Sequence, residues 1–253
     1  MWVVNAYMLT FGGFLLLGGR LGDLYGHRRL FLAGITAFSL ASLGCGLSHT
    51  QGALVAARAL QGVGSASLFT SAFAVVADIF PPAERGKYQG IFGGVFGLSS
   101  VVGPLVGGFL TDHLSWHWVF FVNLPLGAVA LAFILTRMPP LRRGGARPSV
   151  DIWGAVALAV FAVPLLVALS LGREGGLGAG SMGLLGLSAV GLVAFLLIER
   201  RVREPILDLR LFRIRVFAVG NLATFLNGAV FLGAIVFLPL FMVNVVGLSA
   251  TRS

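Results

Sequence analysis

Gly19-Arg20-Leu21-Gly22-Asp23-Leu24-Tyr25-Gly26-His27-Arg28-Arg29 separates two stretches, residues 1–19 and 30–48, in which no charged residue occurs. A helix needs about 20 mostly apolar residues to cross ~30 Å of hydrocarbon. Both flanking stretches come close to that length, so the charged segment reads as a tight turn between two membrane crossings. Gly22 and Gly26 permit close backbone approach, and Asp23 can meet a helix N-terminus. Arg20, Arg28 and Arg29 suit water and lipid headgroups.

The same alternation continues along the chain. Further apolar runs lie at 52–77, between Lys87 and Asp112, between Trp118 and Arg137, between Asp151 and Arg173, between Glu174 and Glu199, and within 216–251, which makes eight in all. The last is long for one crossing, and Pro239 with Asn244 predicts a kinked span and an exit loop. The runs do not alternate apolar with polar residues, so barrel strands are a poor alternative. The expected fold is therefore all-α, a polytopic helical membrane protein with about eight transmembrane helices.

Composition agrees. Of 253 residues, 57% are apolar and 11% charged, and the mean hydropathy is +0.96. Soluble globular chains are roughly 45–50% apolar and about 25% charged. The net charge of +9 would suggest nucleic acid on a polar chain, but here the basic residues sit in short clusters between spans, so no nucleic-acid partner is expected. The single cysteine, Cys45, excludes a disulfide framework and a cysteine-ligated zinc site. No cluster of Asp, Glu or His lies at one membrane depth, which argues against a hydrolase or metalloenzyme.

Arginines set the expected direction, because basic loops stay on the cytoplasmic side. Arg20, Arg28 and Arg29, then Arg85 and Lys87, then Arg137, Arg142, Arg143 and Arg147, then Arg200, Arg201, Arg203, Arg210, Arg213 and Arg215 fall in odd-numbered loops. Those loops are expected inside the cell, with both chain ends outside and anionic lipids as partners of the basic loops. An outward Met1 without a signal peptide leads to the expectation that sequence is missing upstream, and the end at Ser253 to the same expectation downstream. From 199 to 215, Val202, Ile206, Leu209 and Phe212 share one helical face, which predicts an amphipathic helix on the inner leaflet.

Four segments carry a resemblance, and they occur in order: the loop Gly19 to Arg29; Leu54 with Arg58, Gln61, Gly62 and Gly64; Gly97, Gly103, Pro104, Gly107 and Gly108; and Trp116-His117-Trp118-Val119-Phe120-Phe121-Val122-Asn123-Leu124-Pro125-Leu126-Gly127. They resemble the signatures of the major facilitator superfamily, the third that of its antiporters and the fourth that of its multidrug:proton antiporters. Arg203-Glu204-Pro205 and Leu238-Pro239-Leu240 look like the fourteen-span EmrB/QacA-type branch. The resemblance implies a partial major facilitator fold, spans two to nine of fourteen. It divides the chain into an N-terminal bundle lacking its first span (1–137), two additional spans (138–215) and the first span of a C-terminal bundle (216–253), whose remaining transporter half would be a partner. It also implies residence in the bacterial cytoplasmic membrane, no cofactor, and export of a small amphipathic substrate driven by proton motive force. A siderophore, sugar or metabolite as substrate, or a non-transporting membrane interaction protein, stays open. Leu24 and His27 stand where the family usually has arginine.

Candidate site residues follow from these readings. Arg58 is a charge inside an apolar run, which costs about 2.5–3.5 kcal/mol at the bilayer centre. It either snorkels to the surface or faces the pathway, pairing with a carboxylate or substrate; Gln61, Asn221 and Asn227 are further pathway candidates. The embedded acid that the family supplies from its first span is absent from this sequence. Gly19, Gly22, Asp23, Gly26, Arg28, Arg29 and Asp78 form a candidate latch in which Asp23 and Asp78 share Arg28 and Arg29, the alternative being a solvated loop. Gly97, Gly103, Pro104, Gly107 and Gly108 form a candidate hinge, the alternative being small-residue helix packing. His49, His113 and His117, beside Trp116 and Trp118, read as interfacial anchors.

Overall fold

The computed structural model describes residues 2–138, 151–175, 178–202 and 205–244. These residues are helical almost throughout: α1 (Trp2–Tyr25), α2 (His27–Gly46), α3 (Gln51–Ile79), α4 (Pro82–His113), α5 (Trp118–Phe121), α6 (Asn123–Arg137), α7 (Ile152–Gly175), α8 (Ala179–Glu199) and α9 (Arg215–Asn244). Among the described residues, seven helical segments, with α5 and α6 counted as one crossing, are long and apolar enough to span a membrane. Arg142, Arg143, Arg147, Arg203 and the end from 245 onward lie outside the described residues.

Local chemistry sets the boundaries. The charged turn is shorter than its sequence suggests: α1 stays helical through Arg20, Gly22 and Asp23, and only Gly26, at φ 92°, breaks the backbone before α2. That angle is one L side chains resist, so glycine is required there. Thr50 caps α3 by accepting the Ala53 amide at 3.2 Å. Pro82 opens α4 at a position where a missing N–H costs nothing.

The chain divides into two compact units, Met1–Ile206 and Leu207–Ser253. In the first, α3 is the central helix, with α1 on one side and α2 on the other. A Cβ at Gly62 would strike the Thr10 hydroxyl and the Tyr7 carbonyl of α1; one at Gly64 would lie 2.6 Å from the Phe38 amide nitrogen of α2. Glycine at both positions therefore sets the helix separation. Thr10 strengthens the first contact by donating to the Ala59 carbonyl at 2.7 Å. Behind α2 lie α5 and α6, while α7 and α8 form a hairpin in which Ser188 donates to the Phe161 carbonyl at 2.9 Å. That hairpin meets α1 through a hydrogen bond from Asn5 to Ser170. α4 leans on α3 through the Phe73–Phe92 ring pair and on the residue that ends it through Phe80–Tyr88, and has no buried residue.

The second unit contains α9 and, before it, a 3-10 turn at Leu209–Arg213. The amphipathic helix expected over 199–215 is not formed across its described residues. Pro205 lacks a donor, the Glu199 carboxylate accepts the Ile206 amide at 3.2 Å, and Asp208 starts a separate turn by accepting the Arg210 amide at 2.9 Å. Val202 and Ile206 therefore do not share a helical face with Leu209 and Phe212.

Candidate functional site

Two polar clusters lie at opposite ends of the first unit. One is built on α3. Arg58, Gln61 and Ser65 follow one another at helical spacing, so they line one stripe. Gln61 is 2% exposed. The Arg58 guanidinium donates through one terminal nitrogen to Gln61 Oε1 at 2.8 Å and through Nε to the Val3 carbonyl at 3.2 Å. It also stands 4.2 Å above the centre of the Tyr7 ring and 5.9 Å from that of Phe120. Tyr7 in turn donates its hydroxyl to Ser65 at 2.8 Å.

Arg58 is thus held by neutral acceptors and an aromatic face; no carboxylate bonds it among the described residues. A guanidinium suits that cradle, because it is weakly hydrated and stacks on rings. The cluster extends through Gln61 to Ser42, from Ser42 to Asn123 and the Phe120 carbonyl, and from Gln61 to the Cys45 thiol. Pattern reading found Arg58 and Gln61 but missed Tyr7, Ser42 and Asn123. The usable signal was a polar stripe on α3 that would need polar partners on its neighbours.

The second cluster surrounds the break at Gly26. His27 is 5% exposed, with Nδ1 2.8 Å from Asp78 Oδ2 and Nε2 3.5 Å from Asp23 Oδ1. A Cβ at Gly22 would lie 2.5 Å from the His27 ring, so that glycine makes room for the imidazole. Arg28 does not join either carboxylate: it reaches the carbonyls of Leu135 at 3.1 Å and Ile134 at 3.5 Å, at the end of α6. Arg29 is exposed. In this arrangement Asp23 and Asp78 meet His27 rather than Arg28 or Arg29, because the short turn points His27 at the end of α3. Arg85 likewise turns to backbone, donating to the Ala77 and Phe80 carbonyls at 2.8 and 3.1 Å. Gly19 lies within α1 near this end.

The hinge candidates on α4 are not drawn into either cluster. Gly97, Gly103, Pro104, Gly107 and Gly108 lie along α4, which continues helical through Pro104. A Cβ at any of these glycines would meet nothing within 4 Å, so they do not pack on a neighbour among the described residues. In the second unit, Asn221 is exposed and donates to the Phe217 carbonyl of its own helix at 2.9 Å, and Asn227 is exposed. At the turn before α5, Trp116 stacks on His117 with ring centres 3.7 Å apart.

The sequence profile described as Major Facilitator Superfamily matches residues 1–253. Multidrug resistance protein 3 of Bacillus subtilis (strain 168) is 41% identical over 255 residues, covering 100% of this chain and 49% of that protein. Multidrug transporter protein MdtP of the same organism is 38% identical over 254 residues, covering 100% of this chain and 47% of its own length. The tetracenomycin C resistance and export protein of Streptomyces glaucescens is 34% identical over 253 residues, 100% of this chain and 47% of that protein. The chain spans about half the length of these curated relatives.

Proposed function

Because this chain belongs to the major facilitator superfamily, we propose that it serves as one bundle of a proton-driven exporter of amphipathic compounds in a bacterial cytoplasmic membrane. Its work is movement rather than bond-making. Alternating access requires two bundles rocking about a central site. The proposed transport belongs to an assembly in which α1 to α6 act as the first bundle, α7 and α8 as an added hairpin and α9 as the start of the second, in the fourteen-span arrangement. The names of these relatives, which speak of multidrug and tetracenomycin C resistance, support the substrate class.

Arg58 carries the reading. A guanidinium within an apolar crossing is stabilised here by neutral acceptors and a tyrosine ring, which leaves its charge uncompensated by any carboxylate among the described residues. An uncompensated cation in a low dielectric acts on charges that arrive nearby, whether on substrate or on a proton carrier. In this proposal the charge favours proton release when substrate is bound. The basic turns face the cytoplasm, and the His27 bridge with Asp23 and Asp78 closes the bundle on that side. Gly103-Pro104 is the hinge of α4, where proline removes a helical hydrogen bond.

The test is uptake of a fluorescent amphipathic cation into everted membrane vesicles holding the complete transporter, with and without a protonophore. Uptake is expected to require the proton gradient and to fall about a hundredfold in Arg58→Ala, the scale of losing a group that acts only during turnover. Wild-type uptake in that variant would overturn the role of Arg58, and uptake indifferent to the protonophore would overturn proton coupling.

A further inference from the structure

Ser42 stands at the centre of a hydrogen-bond set that the transport proposal does not use. Its hydroxyl is 0% exposed and lies 2.9 Å from the Phe120 carbonyl, 3.1 Å from Gln61 Nε2 and 3.1 Å from Asn123 Nδ2. A hydroxyl has one proton and two acceptor lone pairs. The carbonyl can only accept, so it takes the proton. The two lone pairs are then left for the two amide groups, both of which must present N–H.

That accounting decides how the Gln61 amide is turned, a choice that geometry alone rarely settles. Reversed, its oxygen would face a hydroxyl with no proton to give, and its nitrogen would face the Arg58 guanidinium, donor against donor. Both bonds would be lost where water cannot replace them, since Gln61 is 2% and Cys45 0% exposed. In the orientation present, Gln61 Oε1 accepts from Arg58 at 2.8 Å and from the Cys45 thiol at 3.7 Å.

We infer that Ser42 and Asn123 are positioning residues that hold Gln61, and through it the Arg58 guanidinium, in register with the α5–α6 turn. The turn supplies both groups that saturate Ser42: the Phe120 carbonyl from α5 and the Asn123 amide from the start of α6. Withdrawing the carbonyl frees the hydroxyl proton, and the Gln61 amide is then free to rotate away from Arg58. Movement of the turn is thereby transmitted to the charge inside the membrane. The functional consequence rests on the proposed role of Arg58, whereas the hydrogen-bond order does not.

The chain carries its own reporter, because Cys45 is the sole cysteine and its thiol points at Gln61. The experiment measures the alkylation rate of Cys45 by a membrane-permeant maleimide in native membranes, without any transport assay. Ser42→Ala is expected to raise the rate about tenfold, the scale of one lost buried hydrogen bond, while Ser42→Thr, which keeps the hydroxyl, stays within about twofold of wild type. Gln61→Leu is expected to raise the rate as well, and adding Ser42→Ala to it changes nothing further, since both act on one contact. A wild-type rate in Ser42→Ala, an Ala-like rate in Ser42→Thr, or independent effects in the double variant would overturn the inference. Should Ser42→Ala fail to reach the membrane, Asn123→Ala decides: about a threefold rise supports the inference and an unchanged rate refutes it. Because no substrate moves in this measurement, its failure is separable from failure of the efflux assay.

Discussion

α3 and α4 are both long apolar helices rich in glycine, yet one is the centre of its unit and the other has no buried residue. On α3, a side chain at Gly62 or Gly64 would run into the backbone or hydroxyl of a neighbouring helix. On α4, a side chain at Gly90, Gly97, Gly103 or Gly107 would meet no neighbour among the described residues. Small residues permit close approach without causing it. What differs is the polar chemistry beside the glycines: α3 offers Arg58, Gln61 and Ser65 to partners on α1 and α2, while the α4 hydroxyls of Ser100 and Thr111 bond the carbonyls of their own helix.

The contrast can be broken most forcefully at Gly62. Gly62→Leu is expected to prevent a stable α1–α3 pair, and Gly62→Ala to destabilise it by about 1–3 kcal/mol through overpacking, read as a lower melting temperature in detergent. If Gly62→Ala melts with wild type, close approach is not what centres the unit on α3. A smaller effect is expected at the histidine bridge. His27→Ala removes the 2.8 Å contact with Asp78 and should cost about 1–2 kcal/mol, the scale of one side-chain hydrogen bond, measured in the same way, with His27→Gln recovering part of the loss.

Smaller again is the bond that joins the α7–α8 hairpin to α1. Asn5→Ala or Ser170→Ala is expected to cost about 0.6–1.7 kcal/mol, the range for hydrogen bonds between membrane helices, read as a lower melting temperature in detergent. The smallest effect sharpens the comparison from its other side. Gly103→Ala and Gly107→Ala should change the melting of the 253-residue chain by less than about 0.5 kcal/mol, because a methyl group there meets nothing among the described residues. A large loss of stability would show that the α4 face is covered after all.

Much of this architecture was readable in advance. Apolar runs bounded by arginines located the crossings, and Gly26 lies in the turn expected between the first two. Two local readings went astray for identifiable reasons. The segment 19–29 looked like a loop because it is charged, but Arg20, Gly22 and Asp23 continue α1, and one glycine suffices for the turn. The segment 199–215 had helical periodicity, but side-chain capping by Glu199 and Asp208 competes with the helix on either side of Pro205. Of the site, Arg58 was legible as an anomaly of charge in an apolar run, and Gln61 beside it; Tyr7, Ser42 and Asn123 were not.

Sequence alone determined that the chain crosses a membrane repeatedly as helices. In hydrocarbon each backbone N–H and C=O must be satisfied within its own segment, so an uncharged run of sufficient length has one solution. Only the tertiary structure decided which buried polar group meets which: Arg58 with the Val3 carbonyl, Ser42 with Asn123, and His27 with Asp78. Those partners are separated along the chain by several helical turns or whole helices. Their hydrogen bonds act over about 3 Å, so they exist only where glycines and hydroxyls have already brought the helices together.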